Sequence, residues 1–257
     1  MSTYTTEIAS DNIVSDNPIH QRLLKAYYVA EPYVKGKVLE PGCGEGRGIA
    51  LLSPLAESFL ALDKIDEVID SLKSKYDKVD FRQMVFPPFK GLEDNSFDTV
   101  ISFQVIEHVK EDKLFLEEIH RVLKPGGKAI LTTPNIKMSL SRNPWHEREY
   151  TGTELKALAA DIFSSVEMKG IAGNDKVMDY HEQNRASVAR ITRFDVFNLQ
   201  YRLPNALLRI PYDLLNRLNR NKLQNQDEGL VSTIDKDDYF LNEESESNLD
   251  LFCVLTK

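Results

Sequence analysis

Long hydrophobic runs, a signal segment and paired cysteines are all missing from this sequence. Of its 257 residues 42% are hydrophobic, yet no run reaches the roughly eighteen apolar residues that a membrane-spanning helix needs. The first residues are polar and lack the basic and apolar regions of a secretory signal. The spacing of Cys43 and Cys253 fits neither a zinc site nor a disulfide framework. We therefore expect a soluble, cytoplasmic chain.

Basic charge is also scarce. The chain holds 32 Lys and Arg against 40 Asp and Glu, a net charge of −8. General nucleic-acid binding needs an excess of basic charge and is therefore disfavoured. No clear set of acids forms a magnesium-type site, so no metal is expected. Cys43 lies in a glycine-rich loop and Cys253 in an apolar terminal run, so neither cysteine suits a catalytic nucleophile.

What is present is an alternation of short apolar runs with amphipathic segments. Such alternation is typical of an α/β fold, a doubly wound and mostly parallel sheet with helices on both faces. The C-terminal run "LDLFCVLTK" predicts a last strand that pairs with the strand near residue 166. Residues 1–16 are predicted to be mobile, and residues 17–257 to form a single domain. The other predicted strands are Lys37–Glu40, Phe59–Asp63, Val79–Gln83, Phe97–Phe103, Lys128–Thr133 and Phe163–Gly170.

Residues 174–247 interrupt the alternation and are predicted to be a helical and loop insertion before the last strand. Charge is segregated within it, because residues 181–222 hold eight Lys/Arg against three Asp/Glu, and residues 223–250 hold nine Asp/Glu against one Lys. We interpret the insertion as a lid over a substrate pocket. Peripheral membrane contact is the less favoured interpretation, because the adjoining stretch is acidic.

The stretch "VLEPGCGEGRG", residues 38–48, places glycines at every second position between a predicted strand and a predicted helix. The dinucleotide fingerprint G-x-G-x-x-G does not fit it, because no start within the loop gives a glycine at the last position. The phosphate-binding loop pattern also fails, because its G-K-[ST] ending is missing. The pattern that fits is an acid, Glu40, followed by Gly42, Gly44 and Gly46.

Two acids indicate what this loop binds. Glu40 would repel a pyrophosphate and attract a ligand that carries an ammonium or sulfonium group. Asp63 ends the second predicted strand, where an acid can bind ribose hydroxyls. Together they predict an adenosyl ligand without phosphates, and S-adenosylmethionine has these groups.

Several blocks in this order resemble the class I S-adenosylmethionine-dependent methyltransferases, in particular the bacterial methyltransferase-domain group. The resemblance covers roughly residues 17–172. It implies a seven-stranded sheet whose last strand is antiparallel, with S-adenosylmethionine as cofactor and S-adenosylhomocysteine as product. The blocks are "VLEPGCGEGRG", "LALDK", "NSFDTVISFQVIEHV", "EEIHRVLKPGGKAILTTPN" and "NPWHEREYTGTEL".

The resemblance also implies a set of cofactor contacts. The glycines would approach the cofactor through their backbone, Glu40 would lie near its amino group, and Asp63 would bind its ribose. Many members have an aspartate after the third strand, but this chain has Met84 and Val85. We expect backbone groups there to contact the adenine and Met84 to pack on the ring. The expected set is Glu40, Gly42, Cys43, Gly44, Gly46, Asp63, Lys64, Met84, Val85, Phe103 and Gln104.

Candidate acceptor residues lie in the loop "NPWHEREY", which follows the fifth predicted strand. His146 is the preferred general base, with a bond to a backbone carbonyl as its alternative role, and His108 is the second candidate, with a structural role at a helix start as its alternative. The expected substrate-binding residues are Trp145, Glu149, Tyr150 and Tyr27.

The resemblance implies methyl transfer to an oxygen, or as second choice a nitrogen, of a small molecule or a surface-glycan precursor. Methylation of a peptide or protein group such as a carboxylate, and a non-catalytic S-adenosylmethionine-binding protein, remain alternatives. The residues "SFQV" after the fourth strand differ from the acid- or Asn-P-P-[YF] motif of enzymes that methylate the amino groups of nucleic-acid bases.

Overall fold

The computed structural model describes residues 13–243 and 246–257, which form one eight-stranded sheet with helices on both faces. The strands are β1 (Lys37–Pro41), β2 (Ser58–Asp63), β3 (Val79–Gln83), β4 (Phe97–Phe103), β5 (Leu123–Pro134), β6 (Ser165–Gly173), β7 (Tyr239–Glu243) and β8 (Asp250–Thr256). The helices are α1 (Asn17–Ala30), α2 (Ile49–Leu52), α3 (Asp66–Lys73), α4 (Asp112–Val122), α5 (Gly152–Ala160), α6 (Asp175–Thr192), α7 (Leu199–Arg202), α8 (Asn205–Gln226) and α9 (Glu228–Thr233).

The sheet has the order β3-β2-β1-β4-β5-β8-β6-β7. The β1–β2, β1–β4, β2–β3 and β4–β5 pairs are parallel, so the carboxyl ends of these strands meet at one edge of the sheet. β8 is antiparallel to both β5 and β6. The doubly wound fold and the pairing of the last strand with the strand near residue 166 are therefore confirmed. Ligands of open α/β sheets bind at the carboxyl edge.

The strand count differs from the predicted seven. β7 pairs antiparallel with β6 at the edge of the sheet and lies within residues 174–247, where only helices and loops were predicted. Two of the five residues in its sequence "YFLNE" are polar, because an edge strand with one covered face needs few apolar residues. The sequence pattern was therefore too weak to reveal it.

Alternating residues of the central strands supply two apolar layers, one on each face of the sheet. In β1, Val38 belongs to the layer with α1 and α3, and Leu39 belongs to the layer with α4 and α5. Thr151 caps α5 through its side chain, which accepts from the Glu154 N–H, while Glu154 binds the Thr151 N–H in return. This capping box fixes the start of α5.

The expectation that residues 1–16 are mobile is corrected in part. Residues 1–12 of the segment predicted to be mobile lie outside the described part of the chain, whereas Val14–Asp16 forms a 3-10 turn. Asp16 is fully buried, and its Oδ1 accepts from Arg217 (2.8 Å) and Arg220 (2.9 Å) of α8. Residues 13–16 thus belong to the fold, because their carboxylate pairs with a part of the chain that is distant in sequence.

None of the helices in the described residues is long and apolar enough to cross a membrane. The longest of them, α8, continues through Pro211.

Candidate active site

Two adjoining cavities open at the carboxyl edge of the sheet. The first, of about 200 Å³, lies over the loop after β1 and is called the glycine-loop cavity. The second, of about 250 Å³, lies between the loop after β5 and the helices α1, α6 and α8, and is called the histidine cavity. Leu23, Gln104 and His108 line both cavities, so the two spaces meet at these side chains.

The glycine loop is built from left-handed backbone. Gly42, Gly44 and Gly46 have φ angles of 80°, 50° and 78°, which other residues rarely adopt. A Cβ on Gly42 would overlap Val105, and one on Gly46 would overlap Leu72. A Cβ on Gly44 would meet nothing within 4 Å, because Gly44 faces the cavity. Close packing thus explains two of the glycines, and the open space beside Gly44 leaves room for a ligand.

Glu40 lies behind this loop and is only 1% exposed. Its Oε1 accepts a hydrogen bond of 2.8 Å from the Tyr27 hydroxyl, while its Oε2 has no hydrogen-bond partner among the described residues. Burial raises the pKa of Glu40 to about 8. A buried carboxylate oxygen without a partner is costly, so a ligand cation next to it would be stabilising.

Asp63 ends β2 and holds the loop in place. Its Oδ2 accepts from the Gly44 N–H at 3.0 Å and its Oδ1 from the Ile65 N–H at 3.0 Å. Asp63 lines the glycine-loop cavity, and each carboxylate oxygen can accept a further hydrogen bond. The side chain can therefore bind ligand hydroxyls while it keeps its backbone contacts.

The far end of the glycine-loop cavity follows β3. The Met84 N–H donates to the Asp63 carbonyl at 2.8 Å, and Met84, Val85 and Phe86 line the wall. The Val85 side chain is 75% exposed, so it covers this end of the cavity only in part. These residues give this end an apolar surface on which a flat aromatic ring can pack.

Gln104 follows β4 at the junction of the two cavities. Its φ of 57° is left-handed, which is uncommon for a residue other than glycine. Its N–H donates to the Thr132 carbonyl (2.9 Å) and its Nε2 to the Thr132 hydroxyl (3.3 Å). Both bonds to β5 hold the side chain between the cavities. Strained backbone of this kind occurs at functional sites, where the surroundings stabilise it.

The two candidate histidines face each other, with ring centroids 4.9 Å apart. His108 Nδ1 lies 2.9 Å from the Trp145 carbonyl. A carbonyl only accepts, so Nδ1 carries the proton and the neutral ring has its lone pair on Nε2. The predicted alternative for His108 is a structural residue at the start of a helix, and this bond suits that role. The bond also orients the ring.

His146 is held by two neighbours in its own loop. The Asn143 amide donates through Nδ2 to His146 Nε2 (2.8 Å), because its Oδ1 already accepts from the Trp145 N–H (3.0 Å). His146 Nδ1 then carries the proton and donates to Glu149 at 2.7 Å. The carboxylate fixes the tautomer of the ring, an arrangement that also orients histidine bases.

Comparison with known proteins identifies this architecture. The family described as "Methyltransferase domain" matches residues 39–131, which include the glycine loop, Asp63, Gln104 and His108. Residues 39–131 thus carry the methyltransferase domain, and the matching relatives are named as S-adenosylmethionine-dependent methyltransferases. The family's cofactor is S-adenosylmethionine, and its fold agrees with the observed sheet.

This chain spans about half the length of the two mycobacterial relatives that follow. A protein of Mycolicibacterium smegmatis named "Probable S-adenosylmethionine-dependent methyltransferase" is 40% identical over 126 residues, 47% of this chain and 49% of the relative. A Mycobacterium tuberculosis protein of the same description is 35% identical over 157 residues, 59% of this chain and 57% of the relative.

A human relative and a solved structure extend the comparison. The human mitochondrial ubiquinone biosynthesis O-methyltransferase is 30% identical over 132 residues, 49% of this chain and 34% of the relative. A Thermotoga maritima structure titled "SAM-dependent methyltransferase, possible histamine N-methyltransferase" superposes with a TM-score of 0.58 at 16% identity, over 95% of this chain and 91% of that one. At this identity the likeness shows the fold alone.

The residues present fit the family's cofactor. Gly44 leaves open space at the loop, Asp63 lies in the wall, and the Oε2 atom of Glu40 is a buried acceptor behind that wall. Arg47, which was not among the predicted residues, also lines the cavity, and its Nε donates to His20 Nδ1 at 3.3 Å. Basic groups here could bind the carboxylate of a ligand.

Most predicted cofactor residues meet in the glycine-loop cavity. Glu40 and Gly46 do not line it, because Glu40 lies behind Tyr27 and Gly46 packs on Leu72. Tyr27, predicted to bind substrate, lines this cavity instead of the histidine cavity. The predicted residues in the wall are Gly42, Cys43, Gly44, Asp63, Lys64, Met84, Val85, Phe103 and Gln104.

The predicted substrate residues separate into two groups. Glu149, with His146 and His108, lines the histidine cavity. Trp145 lies outside it and donates through Nε1 to Asp213 of α8 at 3.0 Å. Tyr150 is fully buried and donates to Asp112 at 2.8 Å, so its side chain anchors the loop and does not face substrate.

Some residues of the histidine cavity have no signal in the sequence. Arg22 of α1 lies 3.0 Å from Asp250 of β8, and Tyr212, Asn216 and Arg220 of α8 line the opposite wall. The sequence placed α8 in an insertion of unknown orientation. Only the packing of α8 against Asp16 and Trp145 brings these side chains to the site.

Glu107 adds a buried acid below the histidines. Its carboxylate accepts from the Thr133 hydroxyl (3.0 Å), and burial raises its pKa to about 7. Ligand atoms of Glu107, His108 and His146 lie within 4.8 Å of one another. This triad could supply donors to a divalent cation. No metal was expected from the sequence, and that expectation stays a prediction.

Proposed function

We propose that the protein is an S-adenosylmethionine-dependent methyltransferase that methylates an oxygen, or as second choice a nitrogen, of a polar small molecule or surface-glycan precursor. The observation that carries this proposal is the meeting of the two cavities at Gln104 and His108. A methyl donor in the glycine-loop cavity and an acceptor in the histidine cavity would approach each other there.

The cofactor supplies a methyl group that its sulfonium already activates. The chain then has to position the acceptor, and well-aligned groups reach effective molarities of about 10⁵ M or more. Gln104 would orient groups at the junction. In this proposal His108 takes the acceptor proton on Nε2, because its Nδ1 proton is committed to the Trp145 carbonyl.

His146 is the second candidate base. Its Nε2 accepts from Asn143, so this bond would have to be exchanged for the acceptor. Glu149 would stabilise the imidazolium that forms, because its carboxylate contacts Nδ1 at 2.7 Å. In this proposal His108 is the base, and His146 with Glu149 belongs to the part of the wall that orients the acceptor.

Residues 174–247 would act as a lid in this reaction. Tyr212, Asn216 and Arg220 of α8 contribute to the histidine cavity, and Trp145 ties the loop to Asp213. Arg142 strengthens the same link, since it donates to the carbonyl of Gln200 at 2.7 Å and to the side chain of Asn205.

Oxygen is favoured over nitrogen on two grounds. The human relative is named as an O-methyltransferase. The histidine cavity also holds a candidate base, which helps a hydroxyl more than an amine, because a hydroxyl must lose its proton as it attacks. Hydrogen-bonding side chains such as Asn184, His181 and Asn216 line the cavity and suit a hydroxylated acceptor.

The test is incubation with isotope-labelled S-adenosylmethionine and fractionated host metabolites, followed by mass spectrometry. We expect one class of hydroxylated small molecules to gain a labelled methyl group. Label confined to protein fractions would favour the alternative, methylation of a protein carboxylate. Binding of S-adenosylhomocysteine without turnover on any fraction would favour a non-catalytic S-adenosylmethionine-binding protein.

A further inference from the structure

Helix α8 has an inverted polarity. Its inward residues are mostly polar, and Tyr212, Asn216 and Arg220 line the histidine cavity. Its outward residues are apolar: Leu207, Ile210, Leu214 and Leu218 are 64%, 80%, 61% and 56% exposed. They recur every three or four positions and therefore form one stripe along the helix. A surface helix of a globular protein normally turns such a stripe toward the core.

The segment before α8 extends the apolar surface. Phe194, Val196, Phe197 and Tyr201 are 77%, 75%, 68% and 64% exposed, and α7 leads into α8 after two residues. Exposed apolar patches of this extent mark surfaces that contact another molecule or a membrane. We call this set the outer surface: Phe194, Val196, Phe197, Leu199, Tyr201, Leu207, Ile210, Leu214, Leu215 and Leu218.

Exposed charge around the outer surface is mostly positive. Between residues 186 and 222 every charged side chain that is largely exposed is a cation: Arg190, Arg193, Arg202 and Lys222. Just before this range, Arg185 pairs with the exposed Glu182 at 2.9 Å.

The two acids of this range are engaged. Asp195 accepts from the N–H groups of Leu199 and Gln200, and Asp213 accepts from Trp145. The chain as a whole carries −8, so this cationic region stands out from the remainder.

The acidic stretch that follows does not belong to the outer surface. Asp237 lies 3.6 Å from Lys25 of α1, and Asp238 pairs with Lys176 of α6. These acids therefore lie next to α1 and β7, where they do not oppose an anionic partner of the outer surface.

We propose that the outer surface docks onto an anionic lipid surface. Protruding apolar side chains with flanking cations match the interfacial region of an anionic leaflet, where apolar burial and attraction to lipid phosphates act together. A second copy of the chain fits less well, because a two-fold axis would bring the same cations together. The proposal concerns binding alone and does not depend on the proposed methyl transfer.

Co-sedimentation with vesicles tests this proposal. The full chain is mixed with vesicles of phosphatidylglycerol and phosphatidylcholine, or of phosphatidylcholine alone, at low and high salt. We expect at least about tenfold tighter binding to the anionic vesicles at low salt, and weaker binding at high salt as charges are screened.

Two variants separate the apolar contribution to vesicle binding from the contribution of the cations. Ile210→Ser with Leu214→Ser should weaken vesicle binding at least about tenfold, because two protruding apolar groups are lost. Leu55→Ser, at an exposed leucine before the amino end of β2, is the matched control and should bind as wild type does. All three positions are exposed, so folding should be unaffected.

The charge variant is Arg190→Gln with Arg193→Gln and Arg202→Gln, and it should lose binding to the anionic vesicles by about tenfold or more. Its control removes the same charge from the exposed residues Lys73, Lys75 and Lys78. Equal binding by wild type and both outer-surface variants would overturn the proposal. A dimer that dissociates in the Ile210 and Leu214 variant, in a protein that binds neither vesicle, would also overturn it and assign the surface to a second copy.

Discussion

The glycine-loop half of the sheet, from β1 to β5, and the insertion that holds α8 follow opposite rules. In the first, apolar residues such as Leu39 and Ile101 are buried and the functional side chains project from strand ends. In α8, apolar residues such as Ile210 face outward and polar residues line a cavity. The first region can be recognised from spacing along the chain. The second region brings its polar side chains to a cavity only through packing with distant parts of the chain.

The largest expected difference between the two regions comes from removing the proposed base, His108. We expect His108→Ala to lower turnover by about 10²–10⁴-fold, the usual contribution of a general base. S-adenosylhomocysteine affinity should change far less. The measurement is kcat with the identified acceptor, beside calorimetric binding. His120→Ala in α4 is the control. Unchanged turnover in His108→Ala would move the base to His146 or remove it.

Asp63→Ala should specifically weaken cofactor binding by the glycine-loop half of the sheet. The variant loses a ribose acceptor and two backbone hydrogen bonds, from the N–H groups of Gly44 and Ile65. We expect S-adenosylhomocysteine affinity to fall by about 100-fold, since buried hydrogen bonds to a charged group contribute about 1.5–3 kcal/mol. Calorimetry measures the loss. Asp66→Ala, at an exposed acid of α3, should leave affinity unchanged.

Arg142→Ala should affect the insertion alone. It removes the hydrogen bonds to Gln200 and Asn205 that tie α7 and α8 to the loop after β5. We expect the acceptor KM to rise by about tenfold, because a displaced wall costs about 1.4 kcal/mol of positioning. Arg82→Ala on β3 is the control. A parallel loss of cofactor affinity would contradict the separation of the two regions.

Glu40→Gln should have the smallest effect, a change in pH dependence. Burial raises the pKa of Glu40 from 4.5 to about 8. The folded state then holds a proton that the unfolded state releases, so the free energy of unfolding falls as pH rises from about 4.5 to about 8.

Denaturant titrations at pH 5 and pH 8 without ligand check this direction. The free energy of unfolding should fall less in the Gln variant than in wild type, because the variant lacks the carboxyl group whose proton is released on unfolding. Glu107 contributes to the fall in both proteins, so their difference isolates Glu40. An equal fall in both proteins would show that burial does not hold a proton on Glu40.

The alternating fold, the glycine loop and Asp63 could be predicted because their signals are local. A left-handed glycine or a strand-ending acid is determined by neighbours in sequence, and the structure places most of these residues in one cavity. Tyr150 was assigned to substrate because it shares a loop with His146. Its side chain turns into the core toward Asp112, an orientation that sequence spacing does not encode.

The sequence by itself determined the resemblance to the methyltransferases and the cofactor loop, because periodicity and backbone conformation are local properties. The antiparallel direction of the last strand was implied by that resemblance. Only the tertiary structure decided the edge strand β7, the burial of Asp16 and the direction in which α8 turns its apolar stripe. A stripe in a sequence shows that one face of a helix is apolar. Which partner covers that face depends on contacts between distant residues, here the pairs from Asp16 to Arg220 and from Trp145 to Asp213.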